Sequence, residues 1–292
     1  MKRWALAGGA LGAVLALLVF APAAWLAGMV ASASGEHVQL ADARGTVWQG
    51  SAVLVLTGGA GSRDASALPG RLQWRLGLGG GGLALRATQA CCLNGELLLH
   101  VVPGLGRLRV ELPGAQSPSG GPSDIALGNP SGRALGTRSG NPPGSPALAT
   151  AIGQWPASWL VGLGTPWNTL QPSGTLALSS PGLMLEQVQG RWRFSGRAEL
   201  TLAGLASRLS TLDTLGSYRL TLSGDAARGD ATSVQLGTSS GALQLSGSGV
   251  WAGAKLRFTG QASAAPGSEA GLNNLLNIIG RRQGALSVIS IG

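Results

Sequence analysis

Few residues in this chain are of types that could do chemistry. Of 292 residues, 2 are His, 2 are Cys, and Asp plus Glu number 12. His37 and His100 are isolated in sequence, and neither stands beside a Ser or Cys at a spacing that would make it an activating base. Cys91 and Cys92 adjoin each other. In an oxidising compartment such neighbours close a vicinal disulfide, remain buried thiols or pair between chains. His100 is the only imidazole near them, so a metal site there would lack ligands. Gly79–Gly82 resembles a phosphate loop, but no Lys-Ser/Thr pair follows, so it reads as a turn. No paired-carboxylate spacing, HExxH or CxxC occurs. The sequence therefore predicts no catalytic, cofactor-binding or metal-binding residues, no enzymatic activity and no small-molecule substrate.

What the chain does carry is placement and architecture. Its 49 Gly, 15 Pro and 11% charged residues accompany 44% hydrophobic residues and a mean hydropathy of +0.24. That balance excludes a charge-rich disordered chain, which lacks apolar residues to bury. A net charge of +9 raises nucleic acid as a partner, but aromatics are only 4%, and none is expected. Lys2 and Arg3 are followed by no charge until Glu36. The apolar run Trp4–Val30 between them exceeds the ~20 residues that cross a bilayer as a helix. Positive charge before the span predicts a cytoplasmic N-terminus and a body across the inner membrane, anchored through residues 4–30. The competing reading is a cleaved signal peptide, because Ala31-Ser32-Ala33 is an A-x-A pattern and Pro22 interrupts the apolar run after Leu11–Phe20.

Beyond the anchor, alternating segments recur: Ala52–Leu56, Arg71–Leu76, Leu83–Arg86 and Arg107–Leu112, then Thr175–Leu178, Glu199–Leu202, Tyr218–Leu222, Ala242–Leu245 and Lys255–Phe258. Alternation turns opposite faces of a strand toward core and water. Connections this short leave no room for crossover helices, so neighbouring strands should be antiparallel. Arg71, Arg75, Arg107 and Arg109 then read as polar members of their strands. The class is mainly β: curved antiparallel sheet built from short strands, with one N-terminal transmembrane helix and a short C-terminal helix. That helix is expected over Ser268–Ile279, with Ser268 as cap, Leu272, Leu275, Leu276 and Ile279 on one face, and Gly280 in a left-handed stop. A shorter helix is expected over Pro156–Leu163. Pro113–Pro146 is mostly Pro, Gly and Ser, a composition that buries too little to order itself. The chain divides into an anchor (1–34), a first β-rich part (35–112), a linker or loop (113–146) and a second β-rich part with the C-terminal helix (147–292).

A weak repeat runs through the β-rich parts. Trp48-Gln-Gly50, Phe194-Ser-Gly196 and Trp251-Ala-Gly253 each lead into a strand, an aromatic expected to pack inward while Gly permits a tight turn or bulge. Together with the tail and span, Ala43–Gly50, Leu68–Trp74, Gln171–Leu178, Leu272–Gly284 and Ser287–Gly292 occur in an order that resembles the general secretion pathway protein N (GspN) family of bacterial type II secretion systems. The resemblance implies a non-enzymatic, single-pass inner-membrane protein with a periplasmic body. It further implies partners among the other type II secretion proteins and a part in exporting folded proteins across the outer membrane. The Trp–Gly hairpins also resemble AsmA-like envelope proteins, which implies the alternative of a hydrophobe carried in a β-sheet trough.

Overall fold

The structure is a computed structural model that describes residues 8, 12, 16–79, 81–113, 149–188, 191–224, 231–252 and 255–292. One antiparallel sheet of 16 strands contains both β-rich parts. The strands are β1 (Val38–Gly45), β2 (Gln49–Thr57), β3 (Ala65–Ala67), β4 (Leu72–Gly79), β5 (Gly82–Thr88), β6 (Glu96–Gly104), β7 (Arg107–Leu112) and β8 (Thr150–Pro156). They continue as β9 (Ser173–Val188), β10 (Arg191–Ala206), β11 (Gly216–Gly224), β12 (Ala231–Ser240), β13 (Leu243–Ala252), β14 (Lys255–Ala264), β15 (Arg281–Gln283) and β16 (Leu286–Ile291). Their order is β1-β2-β4-β5-β6-β7-β9-β10-β11-β12-β13-β14-β16-β15, with β3 on β2 and β8 on β9. The sheet is open and runs mostly as a meander of hairpins, but at its C-terminal edge β16 takes the place beside β14 and β15 pairs outside it. Strands β9 and β10 are 16 residues each, far longer than the alternating segments read from sequence, because Ser, Pro and Gly inside them look like punctuation.

Strand β9 has two neighbours on one side. Its Leu183–Val188 half pairs with β7, and its Thr175–Ser180 half pairs with β8. Both run antiparallel to β9, so β7 and β8 are successive pieces of one strand position. Between them β9 bulges against β10, with Arg197 opposite Gly182 and Glu199 opposite Ser179. Pro181 sits in that bulge, where its missing N–H deprives neither neighbour of a ladder bond. The Ser180 hydroxyl donates to the Arg197 carbonyl at 2.6 Å. The expected linker, 113–146, lies outside the described residues from position 114 onward. Its flanks, Leu112 and Thr150, are both held on β9, opposite Leu183 and Ser180.

Helices cover the two ends of the sheet. Helix α1 (Ala23–Ala33) packs on β1 and β2, where Ala23, Ala52 and Trp74 form a small buried cluster with Leu26, Leu40 and Leu85 around it. The chain enters α1 past Pro22, which bridges to Thr46. The indole of Trp48 donates to the Leu18 carbonyl at 2.8 Å, and that of Trp74 donates to the Val47 carbonyl at 3.1 Å. Among the described residues no helix is long and apolar enough to cross a membrane. Most of the expected span before position 16 lies outside the described residues.

Near the middle, a 3-10 helix, η1 (Ala157–Leu163), stands where a short helix is expected, followed by α2 (Trp167–Leu170). Helix α3 (Glu269–Ile279) buries Leu272, Leu275 and Leu276, the apolar face read from sequence. Its ends differ from expectation. Ser268 makes no side-chain capping bond, and Gly280 is extended rather than left-handed, at φ −168° and ψ 179°. The buried Ser287 hydroxyl of β16 instead donates to the Leu276 carbonyl at 2.5 Å, satisfying one of the acceptors that a helix C-terminus leaves open. Two repeat aromatics also depart from the reading, since Trp48 and Trp251 are 36% and 47% exposed rather than packed inward.

Candidate functional site

Strand register sorts the side chains of the sheet onto two faces of opposite character. On one, Leu78, Leu83, Val101, Val110, Leu185 and Phe194 stand side by side across six strands, from β4 to β10. A second row on that face, Leu178, Leu200, Leu220 and Leu236, crosses β9 to β12. Because side chains alternate along a strand, Leu202 and Tyr218 share this face, as do Leu243 and Leu245. The other face carries Arg75 beside Arg86 and Thr201 beside Arg219. Ion pairs join Arg109 to Glu186 at 3.5 Å and Arg219 to Glu199 at 2.8 Å. Arg71, near the sheet edge, pairs with Asp42 at 2.7 Å. Arg71, Arg75 and Arg109 are the polar members that the alternation required, and exposed pairs of this kind contribute only about 0–1 kcal/mol each.

The apolar face is walled into a cavity at its C-terminal half. Sheet residues Leu176, Leu200, Leu202, Leu220, Leu236 and Leu245 floor it; Leu275, Ile278 and Ile279 of α3 close one side; Leu160, Trp167 and Leu170 close another. Its volume is about 500 Å³, within the roughly 300–1,000 Å³ typical of small-molecule sites. The Tyr218 hydroxyl in the wall donates to the Leu243 carbonyl at 3.0 Å, and burial pushes its phenol pKa well up. A second cavity of about 570 Å³ adjoins the first and shares Pro172 and Ser207 with it. Its other lining is more polar, with Gln171, Ser173, Arg208 and Asp213.

The residues of chemical type are dispersed. His37 is exposed, with ring Nδ1 3.0 Å from the Ser34 carbonyl, while His100 lies mid-strand in β6 opposite Glu111. Cys91 and Cys92 are bonded to each other in the β5–β6 loop, where the Cys92 carbonyl accepts from the Gln154 N–H at 2.8 Å. Among the described residues no group of His, Cys, Asp and Glu could hold a metal ion. The cavity was missed as a site because its leucines look like ordinary core in sequence. The recoverable signal was that Leu200, Leu202, Leu220 and Leu222 alternate with Thr and Arg on consecutive strands, so one face had to be apolar throughout.

Residues 36–288 match the model of the type II secretion system (T2SS) protein N family. The chain belongs to that family. The match spans β1 through the first half of β16, so the T2SS protein N region includes the apolar face and all of the cavity lining except Ile289. Its family role is that of a type II secretion component, which also makes other proteins of the secretion system its partners. No curated protein and no solved structure matches the chain.

Proposed function

We propose that this protein is a non-enzymatic, inner-membrane-anchored component of the type II secretion system, with its sheet in the periplasm, contributing to export of folded proteins across the outer membrane. The family match over residues 36–288 carries the reading. The apolar run Trp4–Val30 supports the anchor, as does the exposure of Leu17, Leu18, Val19 and Phe20, which reaches 74% at Phe20. Such side chains suit a bilayer better than water. The placement predicts that a reporter enzyme active only outside the cytoplasm works when fused after Glu36 or at Gly292. A mature protein starting at Ser34 would replace the anchor with a cleaved leader. Deleting the gene is expected to reduce release of type II substrates and accumulate them in the periplasm. Replacing His37, His100, Cys91 and Cys92 together should leave secretion intact at normal protein level; loss of secretion there would return catalysis to consideration.

The continuous apolar face favours a second reading, an envelope protein that carries lipid or another hydrophobe along its sheet, as in AsmA-like proteins. Normal secretion without the gene, combined with altered lipid transport, would favour it over the first.

A further inference from the structure

We propose that the cavity between β9–β13 and α3 seats the hydrocarbon chain of a single-chain zwitterionic lipid, whose head group occupies the adjoining polar chamber. The proposal deepens the second reading by naming the seat and the ligand class, and it rests on that reading only in requiring an apolar ligand. It also revises the expectation from sequence that the protein meets no small molecule.

The wall supplies almost nothing polar. Its two hydroxyls are already engaged, Tyr218 with the Leu243 carbonyl and Ser207 with the Leu170 carbonyl at 2.6 Å. Water needs two to four polar partners to occupy such a space, and an apolar void of about 150 Å³ stays dry yet accepts benzene. In the same proportion, 500 Å³ has room for roughly 20 carbon atoms, one long acyl chain rather than two. A peptide is a poor occupant. The floor strands spend their backbone groups on one another, so a buried peptide would leave its own N–H and C=O groups unpaired. A hydrocarbon chain has none to satisfy.

The head group follows from the second chamber. It meets the first at Pro172 and Ser207, and its lining includes one cation, Arg208, and one anion, Asp213, with the amide of Gln171. A phosphate joined to an ammonium complements both charges, whereas a simple anion meets Asp213 at a cost. Phosphoethanolamine on a single acyl chain has this chemistry.

The test uses the full-length protein, delipidated and held in an amphipathic polymer so that no detergent competes. Lysophosphatidylethanolamines of increasing chain length displace an environment-sensitive fluorescent fatty acid. Affinity is expected to rise about tenfold for each two methylenes added and to stop rising near 16–18 carbons, about where the cavity is full. A rise that continues unbroken past that length, as on an open greasy surface, would overturn the proposal, and so would absence of displacement. Leu220→Trp, which fills the cavity, should weaken binding at least about tenfold while the thermal transition is retained. Unchanged binding by the folded variant would also overturn it; if the variant does not fold, the chain-length series decides alone. A lysophosphatidylglycerol that binds as tightly would overturn the head-group assignment. Binding without any change in lipid transport on gene deletion would keep the site and remove the carrier reading.

Discussion

The two ends of the apolar face are covered by helices of the same length that pack in opposite ways. Helix α1 presents Ala23 to Ala52 and Trp74, small groups against an indole, and sits close on β1 and β2. Helix α3 presents Leu272, Leu275 and Leu276 to a sheet that answers with more leucines, and a void remains beside them. Side-chain size decides the difference. Alanines let a helix approach until no space is left, whereas leucine against leucine leaves gaps wherever the interdigitation is incomplete. Tight packing at one end and spare volume at the other imply that the same kind of substitution will have opposite effects at the two ends.

The largest effect should come from Leu275→Asp, which places a carboxylate among apolar side chains. It is expected to destabilise by at least about 4 kcal/mol in denaturant titration. Asn274→Asp, on the exposed side of the same turn, should stay within about 0.5 kcal/mol. Equal effects would mean that α3 does not cover the sheet through this face.

Enlarging a side chain tests the comparison directly. Ala23→Leu has no space to enter and should cost about 1–3 kcal/mol. Leu236→Phe enters the cavity and should be neutral or stabilise by up to about 1 kcal/mol. Thermal unfolding of both variants would erase the distinction if they moved together. Tyr218→Phe comes next: it removes the hydroxyl that donates to Leu243, for an expected loss of about 1 kcal/mol.

Smaller still is the effect at Asp42, where hydrogen bonds from Arg71 and then Arg44 hold the carboxyl below its ordinary 3.8. A depressed folded value means that its stabilisation is present above 3.8 and is lost as pH falls through the lower folded value. Asp42→Asn should therefore lower the melting temperature slightly at neutral pH and narrow the further drop over that acidic window, with the two proteins converging below it. Asn also suits the left-handed backbone there, at φ 48°. Removing Ser117–Gly144 should change the melting temperature least, because the flanking strands β7 and β8 are each held by β9. A large drop would show that the segment packs against the body.

Much of this fold was legible because its physics is local. Tyr218–Leu222 and Arg107–Leu112 alternate cleanly and became strands, and the Leu272/Leu275/Leu276 spacing became a helix face. Strand β12 was not legible, because Ala231–Ser240 is rich in Ser, Thr and Gly; its pairing is imposed by β11 and β13 on either side. Strand β6 was hidden for the opposite reason, since Leu97–Leu99 form an unbroken apolar run rather than an alternating one. The end of α3 depends on Ser287 in a later strand, a contact that the helix sequence cannot announce. The cavity lay further out of reach. Its leucines could be assigned to one face, but a void depends on how completely distant side chains fill the space between them.

The cross-strand rows also bear on how such a molecule changes in size. Each hairpin contributes one apolar rung pair to one side and one polar pair to the other, at a strand spacing of about 4.8 Å. The length of the apolar strip is therefore set by the number of hairpins and not by any single residue. Gain or loss of one hairpin would alter its reach by roughly 10 Å while leaving its width and its chemistry as they were. Length and surface character are separate variables in this architecture, open to independent adjustment by descent or by design.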